Sequence, residues 1–392
     1  MPDYGLITTA CTIVARNYLP AARVLASSYL EHHPDHRVVI EVIDGAPDGS
    51  PVSGADVLGP EVLAIDEQTY LRMATSYSVM ELATAVKPFL LRELRRSSDV
   101  VVYLDPDIEV FAPLADVVDL AAEHSIVLTP HNLDPIPRDG KEPDEAVIMG
   151  TGLFNLGFIA VGAGSEPFLD FWADRLQQDA IVAPDQQRFT DQRWVDFVPT
   201  LFTHHVLRDP GMNIAYWNAW ERPLHHGADG SPWTGDTPVK FMHFSGYRPD
   251  RPWLLSSHCA RQPRVLLSEY PVLRKLCDSY GRKLLDAGYP ARGEGYQFAS
   301  TPEGAPLTPS MRRTFRNAWV DAERKGTEPP PHPFGHDGGA RFLAWLATPA
   351  NPRQAAGGLN RVVLEVWARR VDLQQAFPDP TGKHAADFRA WC

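Results

Sequence analysis

Apolar residues along the first 160 positions alternate between two spacings. "LITTACTIV" (6–14) is β-branched and apolar, which predicts a strand. Tyr18, Ala22, Leu25 and Tyr29 then recur at helical spacing, with Leu19, Ala26 and Leu30 beside them. "HRVVIEVID" (36–44) predicts a second strand, "APDGSPVSGAD" (46–56) a turn-rich loop and "EVLAI" (61–65) a third strand. Residues 79–96 predict a helix, 99–104 a strand, 113–124 a helix and "SIVLT" (125–129) a strand. A long polar loop follows over 130–146. After it come a strand in "TGLFNLGFIAV" (151–161), a helix in "EPFLDFWADRLQQ" (166–178) and a last strand in "VKFMHFSGY" (239–247). Strands alternating with helices predict an α/β domain with a mostly parallel sheet. Ligands of such sheets sit at the carboxyl ends of the strands.

Beyond about residue 262 only helical spacing remains, over 264–288, 308–325, 339–347, 357–376 and 383–391. "TEPPPHPFGHDGG" (327–339) is a Pro/Gly connector between them. The expected organisation is an α/β domain over 1–262 and a helical region over 263–392. The net charge of −12 argues against nucleic acid, whose binders carry a basic patch. No apolar run reaches the roughly 20 residues of a membrane helix. The first 20 residues lack a basic start followed by a long apolar block, so no signal peptide is expected. Cys11, Cys259, Cys277 and Cys392 are far apart and lack metal spacing, which suits free thiols in a reducing cytosol. These features predict a soluble cytoplasmic protein.

The candidate chemistry lies in "SSDVVVYLDPDIEVF" (97–111), where a buried strand runs into Asp105 and Asp107. Two carboxylates this close repel, and burial raises the cost. A divalent cation removes that cost, and oxygen-rich sites suit Mg²⁺ or Mn²⁺ bridging to phosphates. Asp-Pro-Asp is also ordinary turn chemistry. His243, at the end of the 239–247 strand, supplies an imidazole suited to be a third ligand, or a core histidine. The pairs His32-His33, His204-His205 and His225-His226 read as surface or packing residues.

Five segments in order resemble a GT-A glycosyltransferase, similar to glycosyltransferase family 8 and related bacterial sugar transferases. They are "TTACTIVARNYLPAARVLASSYLEHHPD", "ATAVKPFLLRELRRSSDVVVYLDPDIEVF", "LFNLGFIAV", "FTDQRWVDFVP" and "HFSGYRPDRPW", spread over roughly residues 6–258. The resemblance implies a GT-A, Rossmann-like nucleotide-sugar-binding sheet with helices on both faces. It implies a metal site of Asp105, Asp107 and His243 taking Mn²⁺ or Mg²⁺. Lys87, Gly246 and Arg251 would hold the donor diphosphate. Ala10, Thr12, Asn17 and Tyr18 would line the base, and Asn155 and Gly157 would lie by the transferred sugar. Asp191 and Gln192 would contact the sugar and its anomeric centre. Asp185-Gln186 is a second such pair, and the downstream Val-Pro favours Asp191-Gln192.

The implied activity is hexosyl transfer from a nucleotide-sugar, a UDP-sugar by expectation, to an acceptor hydroxyl with retention, in bacterial glycan or glycoconjugate biosynthesis. The sequence departs from the family at Pro106, where a small residue is commoner, and at Arg251, where lysine is typical. Residues 370–391 resemble a C-terminal segment of bacterial surface-glycan glycosyltransferases, and imply an accessory helical module with packing tryptophans Trp345, Trp367 and Trp391. Two alternatives stand beside this reading. One is a non-catalytic nucleotide-sugar-binding or scaffold protein. The other is a haloacid-dehalogenase-type phosphatase, against which Glu109 follows Ile108 where Thr or Val is usual and no later Gly-Asp-x-x-Asp occurs. "GFIAVGAG" spaces its glycines wrongly for a dinucleotide site.

Overall fold

The computed structural model describes residues 6–46, 52–290, 295–336 and 338–392. Residues 1–5 of the N-terminal segment, 47–51 of the expected turn-rich loop and Asp337 of the connector lie outside them. Among the described residues, no helix is long and apolar enough to cross a membrane.

The strands are β1 (Thr8–Val14), β2 (Arg37–Val42), β3 (Ala55–Leu58), β4 (Val100–Leu104), β5 (Ile108–Val110), β6 (Ile126–Pro130), β7 (Phe154–Val161), β8 (Val182–Ala183), β9 (Arg188–Phe189), β10 (His205–Val206), β11 (Leu224–His226), β12 (Pro232–Thr234), β13 (Thr237–Pro238) and β14 (Phe241–His243). Seven of them form one sheet in the order β10-β6-β7-β4-β1-β2-β3. The β3-β2-β1-β4 block is parallel, and β7 runs antiparallel to both β4 and β6. From β1 the chain first adds β2 and β3 on one side and later adds β4 on the other. That reversal opens a crevice at the carboxyl ends of β1 and β4, where α/β sheets bind ligands.

β1, β2 and β4 are buried along almost their whole length, as strands covered on both sheet faces are. Ala10 and Val14 of β1 and Val102 of β4 pack with Leu19, Ala22 and Leu25 of the helix Leu19–His32. Cys11 and Tyr103 are register partners one residue further on, on the opposite face. There the helix Lys87–Arg95 lays Lys87 Nζ 4.2 Å from the centre of the Tyr103 ring.

The chain divides into two compact units, one of residues up to Ala64 plus Ala83–Tyr296, the other of Ile65–Leu82 plus Gln297–Cys392. Helix Pro271–Asp286 lies beyond residue 262 yet belongs to the first unit. Its Leu273, Cys277, Tyr280 and Leu284 share a core with Val24, Met242 and Phe244, and Phe244 stacks on Tyr280 at 3.9 Å. In the second unit, helix Pro309–Lys325 starts at Thr308, whose hydroxyl caps Met311 N, and stops at Gly326 with φ +64°. Buried Arg312 of this helix donates to the carbonyls of Ala74 (2.8 Å) and Tyr77 (2.7 Å).

Four expected elements take a different form. Residues 61–63 of the expected third strand belong to a 3₁₀ turn opened by Pro60, which has no N–H for a ladder, and β3 lies at 55–58 instead. The 79–96 helix is two, Val79–Ala85 and Lys87–Arg95, because Pro88 cannot donate back one turn. The last strand ends at His243, ahead of a turn at Gly246 with φ +72°. The 357–376 helix is broken at Gly358, φ +64°, where Asn360 caps the next segment, Arg361–Ala368.

Candidate metal and donor site

β4 carries five fully buried residues straight to Asp105. The Asp105 N–H donates to the carbonyl of Gly157 on β7 (2.8 Å), and Ile108 N donates back to Asp105 O (3.1 Å) around Pro106. This turn delivers the chain into β5. β5 pairs antiparallel with β14, which sets His243 opposite Ile108. Phe244 N also donates to Asp107 O at 2.8 Å. Pairing of β5 with β14 is therefore what brings a histidine from far downstream to the two aspartates.

The side chains converge. His243 Nε2 stands 3.0 Å from Asp107 Oδ1 and 3.8 Å from Asp105 Oδ2. One ligand atom from each of the three lies within 4.8 Å of the others. His243 is buried at 4% exposure, whereas the carboxyls of Asp105 and Asp107 are open at 28% and 17%. Gly157 makes room for the ring: a Cβ there would stand 2.4 Å from His243 Cε1. Two carboxylates and an imidazole this close together fit a divalent cation of the Mg²⁺ or Mn²⁺ type.

Burial and repulsion shape the titration. Burial raises the Asp105 carboxyl above its ordinary value, against the pull of Lys87 and His243. Burial also opposes ionisation of Asp107, but the charge and hydrogen bond of His243 outweigh it and hold Asp107 low. Burial works against a charged His243, yet Asp107 and Asp105 together lift it above its ordinary value.

Behind the carboxylates lies a polar layer. Lys87, 1% exposed, pairs with Asp191 Oδ2 at 2.6 Å, donates to Leu156 O at 2.8 Å and lies 3.9 Å from Asp105 Oδ1. Asp191 also accepts from Thr190 Oγ1 (3.0 Å), and Thr190 holds φ +45°, rare for a β-branched residue. The Gln192 amide accepts from Leu156 N (3.1 Å) and donates to Thr151 O (2.8 Å). Asn155 Oδ1 accepts from Gly157 N (3.1 Å) and Asn213 Nδ2 (3.0 Å).

The structure thus gathers Asp105, Asp107, His243, Lys87, Asn155, Gly157, Asp191 and Gln192. Asp185-Gln186 sits in the turn Pro184–Gln186, where Gln186 accepts from Arg188. Ala10 and Thr12 are buried within β1, and Ala10 packs in the core beneath Leu25. Asn17 is exposed and Tyr18 half-buried in the turn Arg16–Tyr18. Burial raises the Tyr18 hydroxyl first, and Asp107 and Asp105 add to it. Gly246 passes under Ser256 and His258, leaving no space for a Cβ. Arg251 is exposed.

Several site residues escaped sequence reasoning. Tyr103 donates to Asp105 Oδ1 at 2.8 Å. Trp217 meets His243 and His131 edge-on, each at 5.3 Å. Asn213 bridges Thr129 and Asn155 with φ +54°. His131, buried, has its imidazole pushed down to about 4 by desolvation. The "GMNIAYWN" run, with two asparagines among apolar residues, was the available signal.

No protein-family model matches the chain. It is 28% identical over 200 residues to the uncharacterized protein YfnF of Bacillus subtilis (strain 168), covering 48% of this chain and 63% of YfnF. It is 28% identical over 249 residues to the uncharacterized protein YfnD of the same strain, covering 60% of this chain and 76% of YfnD. The match to YfnF therefore spans less than two thirds of that relative. Among solved structures it is similar to the galactosyltransferase LgtC in complex with donor and acceptor sugar analogs (TM-score 0.38, 16% identity, 68% of this chain and 95% of LgtC). It is also similar to the glycosyltransferase GlyE of Streptococcus pneumoniae TIGR4 (0.42, 14%, 74% and 66%). The bifunctional WbbM has a TM-score of 0.42 at 13% identity, over 73% of this chain and 52% of WbbM. All three are glycosyltransferases, the class that the sequence motifs resemble.

Proposed function

We propose that the chain is a metal-dependent glycosyltransferase that moves a sugar from a nucleoside diphosphate donor, a UDP-sugar, to an acceptor hydroxyl. The observation that carries this reading is the convergence of Asp105, Asp107 and His243 at the carboxyl end of β4. When bound there, Mn²⁺ or Mg²⁺ supplies charge neutralisation for a leaving diphosphate. Tyr103 and Lys87 fix Asp105 from below, and His243 fixes Asp107. Asn17 and Tyr18, in the turn after β1, flank the base, with the buried Ala10 and Thr12 supporting that strand from within, and Gly246 and Arg251 border the diphosphate.

Asn155, Gly157, Asp191 and Gln192 form the wall beside the sugar, held rigid by the bonds described above. In the transfer, the bond from the anomeric carbon to the diphosphate oxygen breaks and a bond to the acceptor oxygen forms. The acceptor proton passes to the leaving phosphate oxygen, a front-face course that gives retention. Buried thiols at Cys11, Cys259 and Cys277 support work in a reducing cytoplasm. The setting is glycan or glycoconjugate assembly, and the first compact unit is the catalytic domain.

The test is release of nucleoside diphosphate from a panel of nucleotide-sugars with Mn²⁺ and with chelator. Metal-dependent release is expected, falling roughly a hundredfold or more in Asp107→Asn. Unaltered release in that variant refutes the reading. Nucleotide-sugar binding with no release, with or without acceptors, selects the scaffold alternative.

A further inference from the structure

Trp345 and Trp367 do more than pack. Within the second unit they line an open cleft of about 750 Å³, with Thr314, Asn317, Asp321 and Glu365 among its other lining residues. That volume is in the range of small-molecule sites, ~300–1,000 Å³. Both indoles are held in place. Arg361 lies 4.4 Å over the Trp345 ring, and Trp367 Nε1 donates to Phe377 O at 2.9 Å. Thr314 is 9% exposed, and its Oγ1 has no hydrogen-bond partner.

Charge selects the kind of ligand. Two of the cleft's three carboxylates have a cation beside them, Asp321 with Arg324 (2.6 Å) and Lys325 (2.5 Å) and Glu365 with Arg369 (3.1 Å), and the third, Glu328, is solvent-exposed. The Arg361 guanidinium is engaged by Thr348 Oγ1 (2.8 Å), Thr348 O (3.2 Å) and Pro349 O (3.2 Å). A phosphate finds no unengaged guanidinium here, and the carboxylate without a cation beside it, Glu328, is solvent-exposed, where an ion pair contributes little. What these groups offer is indole surface, one face of Trp345 being already covered by Arg361, beside amide, hydroxyl and carboxylate oxygens. A pyranose presents the matching pair, an apolar C–H face and a rim of hydroxyls, and preordered aromatic plates lower the entropy of holding it.

We infer that this cleft binds a neutral oligosaccharide, the non-reacting portion of the acceptor glycan; that it is the acceptor rests on the transferase reading. The experiment is saturation-transfer NMR on the full chain with maltotriose, cellotriose, chitotriose and N-acetyllactosamine. Hexalysine and inorganic phosphate serve as charged probes. Metal-linked nucleotide binding is read by thermal shift on the same samples. Saturable binding of at least one oligosaccharide is expected, weakened at least tenfold in Trp345→Ala and in Ala368→Trp, which fills the cleft from an exposed lining position. The nucleotide-linked shift should stay unchanged in both. The site is overturned if no oligosaccharide binds, if both variants bind as the parent does, or if only hexalysine or phosphate responds. Oligosaccharide binding in a chain with no nucleotide-linked shift supports the site and overturns its assignment to an acceptor.

Discussion

Two groups of carboxylates, one at the end of the sheet and one in the helical unit, are built from the same residue types and handled in opposite ways. Asp321 and Glu365 each have their own cation three or four residues further along the chain. Asp105 and Asp107 instead converge on one imidazole, and the buried lysine near Asp105 is already taken by Asp191. Compensated carboxylates are ordinary surface chemistry and contribute little. Carboxylates left to converge in a half-buried crevice mark a place where the compensating charge comes from outside. The distinction is one of neighbours, invisible in composition.

The largest effect that sharpens this contrast should come from the buried pair. Lys87→Met leaves Asp191 charged and unpaired in the interior and should cost about 3–5 kcal/mol by denaturant melts, with Lys87→Met/Asp191→Leu recovering most of it. Next, Gly157→Ala should push the His243 ring and weaken Mn²⁺ binding roughly 10- to 100-fold, while the melting temperature moves less than in Lys87→Met.

Smaller and opposite effects should separate the two metal-site aspartates. Asp105 is raised, so its ionised form opposes folding, and Asp105→Asn should leave the metal-free melting temperature level or higher. Asp107 is held low by His243, so Asp107→Asn should cost about 1.5–3 kcal/mol. A drop for Asp105→Asn equal to that for Asp107→Asn would break the comparison. The smallest effect is Arg369→Ala, within about 1 kcal/mol.

The pH dependence follows the same logic. A His243 held above its ordinary value of ~6.5 stabilises the metal-free fold fully below that pH. This contribution fades as pH rises through the raised value. Asp107, held low, contributes above its ordinary range and loses that contribution as pH falls through its depressed value. Metal binding runs against the histidine term, because a protonated imidazole cannot ligate. Mn²⁺ affinity should therefore decline as pH falls through the raised His243 value, measured by calorimetry in matched buffers.

The sheet was legible because parallel strands buried on both faces leave unbroken apolar runs such as Val100–Leu104. The metal triad was legible for the aspartates, which sit together in sequence, and for His243 only through its strand-like setting and the family resemblance. Its actual placement depends on β5 pairing with β14, and no local spacing encodes that register. Asn213 and Trp217 were missed for the same reason: each owes its role to partners on distant strands. The strand expected at 61–65 failed because apolar content outweighed Pro60. Trp345 and Trp367 read as packing residues because spacing along a helix says nothing about which part of an indole faces a cleft.

The most direct measurement is the thermal midpoint of the full chain with Mn²⁺ and a nucleoside diphosphate panel, repeated with chelator and with Asp107→Asn. Ligand binding to the folded state raises the midpoint by mass action. The account predicts a rise with one nucleotide class that needs Mn²⁺ and disappears in the variant. A rise of equal size in chelator or in Asp107→Asn, or none with any nucleoside diphosphate, would contradict it.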